Sequence, residues 1–477
     1  MSTDVLPVAA PARVRPRTWQ TPSLLRLFAG LVAILLTGTV LLVAWETSRE
    51  RAGLRTIGGT AGPEVVATSD LYFALNDMDA QLANILLVGA ATGLGFTRSQ
   101  ASGIFEQRRL QADHDLRQAA ATAADPATQQ SVDDLLDVLG RYEALAAATV
   151  LLNEQTPHAA GRPAPAALGR YRQATDLLRT RLLPAAAKLT DQHAQALEMR
   201  YRSDRGRILA VRVAVIVLGT LALAVLVAMQ VWLFRRFRRL LSPALAAATC
   251  AALAGLLLAT GLLGGEAEHL RVAKKDAFDS VLALTRARAV SYDANADESR
   301  YLLDRDRAAT YQQAYLDKSQ QLLTLAGADL AGYDQRLQQA IGAYQSDRSL
   351  VGWQGFLGTE FRNITFAGER TAAETTLLRY QVYERDDRRL RALAVAGRPN
   401  DAIAFCTSYA PGDSNYAFNR YDQALAGLIG VNTRAFGQAV ADGQHDLRAW
   451  QWGLWPVWAA VLALVVAGIR PRLAEYR

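Results

Sequence analysis

The chain has 477 residues, 51% of them hydrophobic, a net charge of +7 and two cysteines. Length alone suggests about three soluble domains, but four long apolar stretches change that count. The positive charge gathers in short segments beside those stretches, which excludes a nucleic-acid footprint, and Cys250 and Cys406 are placed too far apart for an internal disulfide.

In chain order, a tail (1–23) carries Arg13, Arg15 and Arg17, and residues 24–45 form an apolar run long enough to span a bilayer. The run is longer than a signal-peptide core and no A-x-A site follows it, so it reads as a retained first span. A long segment, 46–207, comes next. Gly58, Gly59, Gly62 and Pro63 predict a break just after the membrane. Leu71, Leu75, Met78, Leu82 and Ile85 alternate steps of four and three, the seam of a helical bundle. A loop at 89–95 ends that helix. A second helix is predicted from about 99 to 123, and a third starts at Asp125-Pro126, since proline suits the first helical position. Three prolines mark a loop at 156–165, and a fourth helix then runs toward the second span (208–234), with a kink expected at Pro184.

A five-residue hairpin (235–239) holds Arg235, Arg236, Arg238 and Arg239. The third span is 240–263, the second long segment 264–449, the fourth span 450–469, and the C-terminal tail 470–477 carries Arg470, Arg472 and Arg477. The two tails and the hairpin lie on one side of the membrane, and the positive-inside rule places them in the cytoplasm. Seven of the eight tryptophans flank the spans as an aromatic belt; only Trp353 lies deep in a polar segment.

The chain repeats itself. A shift of 216 carries the first span onto the third and matches Glu50, Leu54, Arg55, Asp77, Ala80, Leu86 and Leu87 with Glu266, Leu270, Arg271, Asp293, Ala296, Leu302 and Leu303. The expected fold is therefore an all-α membrane protein: four transmembrane helices and two tandem extracytoplasmic up-down four-helix bundles, produced by internal duplication. Residues 356–366 and 398–416 read as insertions in the second copy.

No P-loop, H-E-x-x-H, G-x-S-x-G or paired C-x-x-C is present, and the five histidines lack ligand spacing. No catalytic residue, metal site or cofactor is expected, and the chain does not read as an enzyme. Its cytoplasmic portions are too small for an output module, so any signal must pass to a separate protein. The best candidate surface for a ligand or partner is a polar stripe. Asp77, Gln81 and Asn84 share one face of the first bundle's entry helix, and Asp293, Asp297, Arg300 and Asp304 form the matching stripe in the second. The bland alternative is a solvated helix face, which charged stripes more often are. The aromatic segment 356–366 suits either a partner-contacting loop or a core plug. Arg235, Arg236, Arg238 and Arg239 are the candidate cytoplasmic contact for an effector or for anionic lipid.

The segments LYFALNDMDAQLANILLVG (71–89), SVLALTRARAVSYDANADESRYLLD (280–304) and NITFAGER (363–370), with the tandem four-span layout, resemble the GlnX-type membrane sensors of actinobacteria. The resemblance implies two helical sensor domains outside the cytoplasmic membrane. It also implies an extracytoplasmic amino-acid-binding lipoprotein, and a soluble cytoplasmic Ser/Thr protein kinase that receives news of aspartate or glutamate. The residues themselves reach only receptor-like architecture. They leave open a component of a transport or channel complex, a passive envelope scaffold, and a homo-oligomer in the bilayer.

Overall fold

A computed structural model describes residues 21–122, 126–237, 242–350 and 352–474. These residues are helical almost throughout, and the one ladder pairing among them is an isolated bridge between Thr324 and Gln354. The all-α expectation holds, with four helices long and apolar enough to cross a membrane. The chain divides into two compact units: Met1–Glu50, Gly206–Glu266 and His445–Arg477 form one, Arg51–Arg205 and Ala267–Gln444 the other.

The first unit draws on α1 (Thr21–Thr56), α6 (Leu183–Phe237), α7 (Pro243–Arg271) and α14 (Ser414–Ala474). Leu25, Val32, Leu226, Met229, Leu245 and Val465 pack together in its interior. Ile34, Val217, Leu257 and Val466 face outward, a distribution suited to hydrocarbon and not to water. Helices approach closely at small residues: a Cβ on Gly219 would stand 2.5 Å from Leu256, and one on Gly468 2.6 Å from Leu245. Polar side chains pair inside the unit, as where Gln230 Nε2 donates to Thr249 Oγ1 at 2.6 Å. Arg235 is exposed near the end of α6; Arg238, Arg239 and the side chain of Arg236 lie outside the described residues.

The second unit holds both long segments. The first supplies α2 (Gly62–Val88), α3 (Arg98–Thr122), α4 (Pro126–Gln155) and α5 (Pro165–Leu177), close to the four expected helices. The second supplies α8 (Asp279–Leu303), α9 (Ala308–Leu322), α10 (Tyr333–Asp347), α11 (Gly355–Asn363), α12 (Glu369–Val395), α13 (Pro399–Thr407) and the start of α14. The seam residues Leu71, Leu75, Met78, Leu82 and Ile85 are all buried. The expected insertions are two short helices, α11 and α13, with their flanking loops.

The break expected at Gly58 to Pro63 does not occur. The chain stays helical through a π segment, Ile57–Ala61, and the second copy has its own, Val272–Phe278, at the corresponding place. A π turn widens the helix by one residue and shifts the register of everything after it without opening the ladder. Pro63 lies two residues past the end of the first π segment, the same spacing at which Pro184 follows its own, so the widened turn precedes a proline in both places. A third π segment, Leu178–Leu182, stands where the kink at Pro184 was expected. Proline cannot donate to the carbonyl four residues back. The turn widens before it, and the Leu183 N–H bonds to Leu178 O.

Candidate functional site

The seven stripe residues expected on open helix faces are all buried: Asp77, Gln81, Asn84, Asp293, Asp297, Arg300 and Asp304. The solvated-face and open-surface readings are both corrected on this point. The cause is packing between the two copies. α2 and α8 lie against each other, with small residues such as Ala80, Ala83, Ala294 and Ala296 in the buried layer. Each stripe is covered by the other copy and by its own neighbouring helices.

Burying charge requires partners, because an isolated ion in a low-dielectric interior is strongly disfavoured. Arg300 is completely buried and satisfies three carboxylates. Its Nε and Nη2 donate to Asp79 Oδ2 at 3.0 and 2.8 Å, across from α8 to α2. Its Nη1 donates to Asp293 Oδ1 at 2.9 Å and Asp297 Oδ1 at 2.6 Å. Lys318 of α9 closes the group, donating to Asp293 Oδ2 at 2.7 Å and to Asp297. Burial would raise the Asp293 carboxyl, but Lys318 and Arg300 overcome it and hold the group well below the ordinary carboxylate range.

Asp79 is the residue that sequence reasoning missed. It lies on the seam side of α2, beside Met78, and not on the stripe. Thr175 Oγ1 donates to it at 2.8 Å, and the Tyr171 and Tyr142 hydroxyls donate at 3.3 and 3.4 Å. One carboxylate therefore ties together α2, α4, α5 and α8. A carboxylate inside an apolar heptad seam is a local conflict of pattern, and that conflict was the available signal.

The rest of the stripe continues the network. Arg108 of α3 donates to Asp77 Oδ2 at 2.7 Å, Gln81 to Asp77 Oδ1 at 2.8 Å, and Ser299 Oγ of α8 to Asn84 Oδ1 at 2.8 Å. Arg172 of α5 pairs with Asp304, its Nε at 2.8 Å. Phe73 stands between two guanidinium groups, Arg108 and Arg288, each centred 4.5 Å from the ring. Its edge meets Tyr292, 4.3 Å between centroids.

A second buried acidic group lies deeper in the second copy. Burial, with Asp387 adding, raises Glu298 well above its ordinary value and pushes Glu384 up to about 8. Asp387 and Arg391 form a two-pronged pair at 2.8 and 2.9 Å. Burial thus biases Glu298 and Glu384 toward their protonated forms, beside an ion pair.

The segment 356–366 is core on its buried side. Leu357 and Phe361 are buried, and Phe361 meets Trp353 and Tyr344 at 5.0 and 5.1 Å. Asn363 donates through Nδ2 to Asp276 O at 2.8 Å, to Lys275 O at 3.3 Å and to Ser280 Oγ at 2.9 Å. It thereby caps carbonyls of the second π segment. Cys406 is buried beside Ser299, while Cys250 lies on an exposed helix face.

Residues 53–202 match the family described as Actinobacterial sensor domain. Over that range the chain is similar to a sensor domain. The matched range takes in α2 to α5 and the start of α6, and so includes Asp77, Asp79 and their partners on α3, α4 and α5. No curated protein and no solved structure matches the chain.

Proposed function

We propose that this chain is a non-enzymatic four-span sensor of the cytoplasmic membrane, with both termini and the arginine hairpin inside and the polar unit outside. In this reading it relays the availability of extracellular aspartate or glutamate from a solute-binding lipoprotein to a soluble Ser/Thr protein kinase. The observation that carries the sensing role is the sensor-domain match over 53–202, in a domain whose bounding helices, α1 and α6, also carry apolar stretches of spanning length. The orientation is supported by the arginines of the short segments. The acidic amino acids, the lipoprotein and the kinase are supported by the likeness of segments 71–89, 280–304 and 363–370 to GlnX-type sensors.

The burial of the stripe moves the docking surface for a carrier elsewhere. Three loops, one of them from the second copy, gather at one place in the polar unit. Gly161 N donates to Leu87 O at 2.8 Å, Ala90 N to His158 O at 3.1 Å, and Phe96 meets Tyr409 at 5.5 Å. A carrier seated there touches both copies and can favour one arrangement of them. It shifts the equilibrium only by its difference in affinity for the two arrangements.

The test has two arms. A cysteine placed at Ala160 should react with membrane-impermeant thiol reagents in intact cells, and one at Arg236 should resist; the reverse labelling would end the receptor reading. In the second arm, aspartate or glutamate is added to cells holding the parent chain, no chain, or Tyr409→Ala. Phosphorylation of the kinase's targets should respond only with the parent. An unchanged response in the deletion strain would leave a passive scaffold.

A further inference from the structure

A cavity of about 760 Å³ opens within the polar unit, bounded by α2, α3, the start of α8 and α14. Small-molecule sites generally occupy roughly 300–1,000 Å³, so an organic molecule of ordinary size fits. Most of its wall is apolar. Val66 and Ala67 come from α2, Phe436 and Val440 from α14, and Phe278 and Val281 from the end of the second π segment and α8. The Phe278 and Phe436 rings stand 5.6 Å apart and tilted. Both π segments reach the cavity, since Gly58 and Gly59 of the first also line it.

One wall is acidic. Asp70 of α2 and Asp115 of α3 both face the space. Asp115 is only 8% exposed, and its Oδ2 has no hydrogen-bond partner. An unmade bond at a buried carboxylate is costly, so this oxygen calls for a donor. Arg288 and Arg108, whose charges act on Asp70, make their ion pairs with Asp422 and Asp77. Burial, with Asp70 adding, pushes the Asp115 carboxyl up to about 7, as expected for an acid that lacks a counter-ion.

We infer that this cavity binds an organic ammonium ion with an apolar body, its head held by Asp115 and Asp70 and its body lying against Phe278 and Phe436. An ammonium group supplies the missing donors and the missing positive charge together. A neutral guest leaves the charge unmet, and a carboxylate-bearing guest meets two acids. The site is thus distinct in chemistry from an acidic amino-acid site, and its test bears on this inference alone.

The test uses the full chain in lipid nanodiscs at neutral pH, titrated calorimetrically with naphthylmethylammonium and, separately, with naphthylmethanol. The amine should bind saturably, and the alcohol at least about tenfold more weakly. Asp115→Asn should weaken the amine by about tenfold or more while leaving the melting temperature at or above that of the parent. Gly59→Trp should abolish binding by filling the space. A Cβ at Gly59 meets nothing within 4 Å, so this variant should fold. The inference fails if no saturable binding is seen below about 1 mM. It fails equally if the alcohol binds as well as the amine, which would mark an apolar or lipid site, or if both folded variants bind like the parent.

Discussion

α2 and α8 occupy the same place in the two copies, yet the same positions carry different chemistry. Asp77, Gln81, Leu82 and Asn84 in the first correspond to Asp293, Asp297, Glu298 and Arg300 in the second. The shared element is the acid paired to the next helix: Asp77 to Arg108 of α3, Asp293 to Lys318 of α9. Three of these differences add charge to the second copy, while Asp79, matched by Asn295, runs the other way. An amide became an arginine, an amide an acid, and a core leucine an acid. The second copy pairs Arg300 and Lys318 with its own Asp293 and Asp297, and the first copy's buried Asp79 takes its cation from the second, in Arg300. The two segments therefore present complementary faces, and each completes the other's interior.

The largest expected effect follows from that dependence. Arg300→Met should leave Asp79, Asp293 and Asp297 buried with Lys318 as their one cation. Removing one member of a buried ionic group costs about 3–5 kcal/mol. Asn84→Ala, at the matching position, removes a neutral bond worth about 1–2 kcal/mol. Thermal unfolding of the two full-length variants, followed by circular dichroism, measures the difference. Equal losses would mean that the copies are equivalent and the asymmetry inert.

The second copy should also carry most of the pH dependence. Burial, with Asp387 adding, pushes Glu384 up to about 8, and burial, with Glu369 adding, pushes Glu360 up to about 7, both from 4.5. Raised carboxyls hold protons in the folded state that the unfolded chain has already released. Their contribution is complete below 4.5 and is lost as pH rises through 7 to 8. Asp293 has the opposite sign: its lowered carboxyl contributes above 3.8 and is lost on acidification below that. Stability should therefore peak at mildly acidic pH and fall by about 1–3 kcal/mol toward about pH 9. Glu384→Gln should flatten the alkaline limb, and an unaltered limb would place the titration elsewhere.

Much of the fold was legible because it rests on local signals. The seam from Leu71 to Ile85, the proline opening α4 and the proline-rich loop before α5 each act within a turn or two. The repeat in the sequence was legible because its register has no gaps between Glu50 and Leu87. The burial of the stripe was not. A helix face with Asp, Gln and Asn reads the same whether water or a second helix covers it, and only the pairing partner decides. That partner, Asp79 to Arg300, is separated by more than two hundred residues and lies off the stripe. The π segments were also hidden. The first is written with glycines, which suggest a break, and the second with Lys274 and Lys275, which suggest an ordinary surface helix.

Asn363 offers a smaller test, confined to the second copy. Its carboxamide caps carbonyls of the π segment Val272–Phe278. Asn363→Ala should cost about 1–2 kcal/mol, since buried carbonyls lose their donor. Hydrogen exchange should quicken between Val272 and Phe278 and not in Ile57–Ala61, and quickening in both would show that the two π segments open together.

The smallest effect separates geometry from packing in the π segments themselves. The second copy builds its π segment from Val272 to Phe278 without glycine, so the backbone form does not require one. The reason for Gly58 must then be local, and the structure supplies it: a Cβ there would stand 2.8 Å from Val440 Cγ1. Valine is stiff at χ1 and cannot swing aside cheaply. Gly58→Ala should therefore lose about 1–2 kcal/mol to overpacking, partly offset by the roughly 0.5–1 kcal/mol that alanine gains over glycine within a helix. Gly59→Ala, next door, has open space and should keep the gain alone. The adjacent variants should thus shift the melting temperature in opposite directions. Stabilisation by both would mean that the first π segment tolerates side chains as the second does, and that its glycines mark sequence drift between the copies and not a packing constraint.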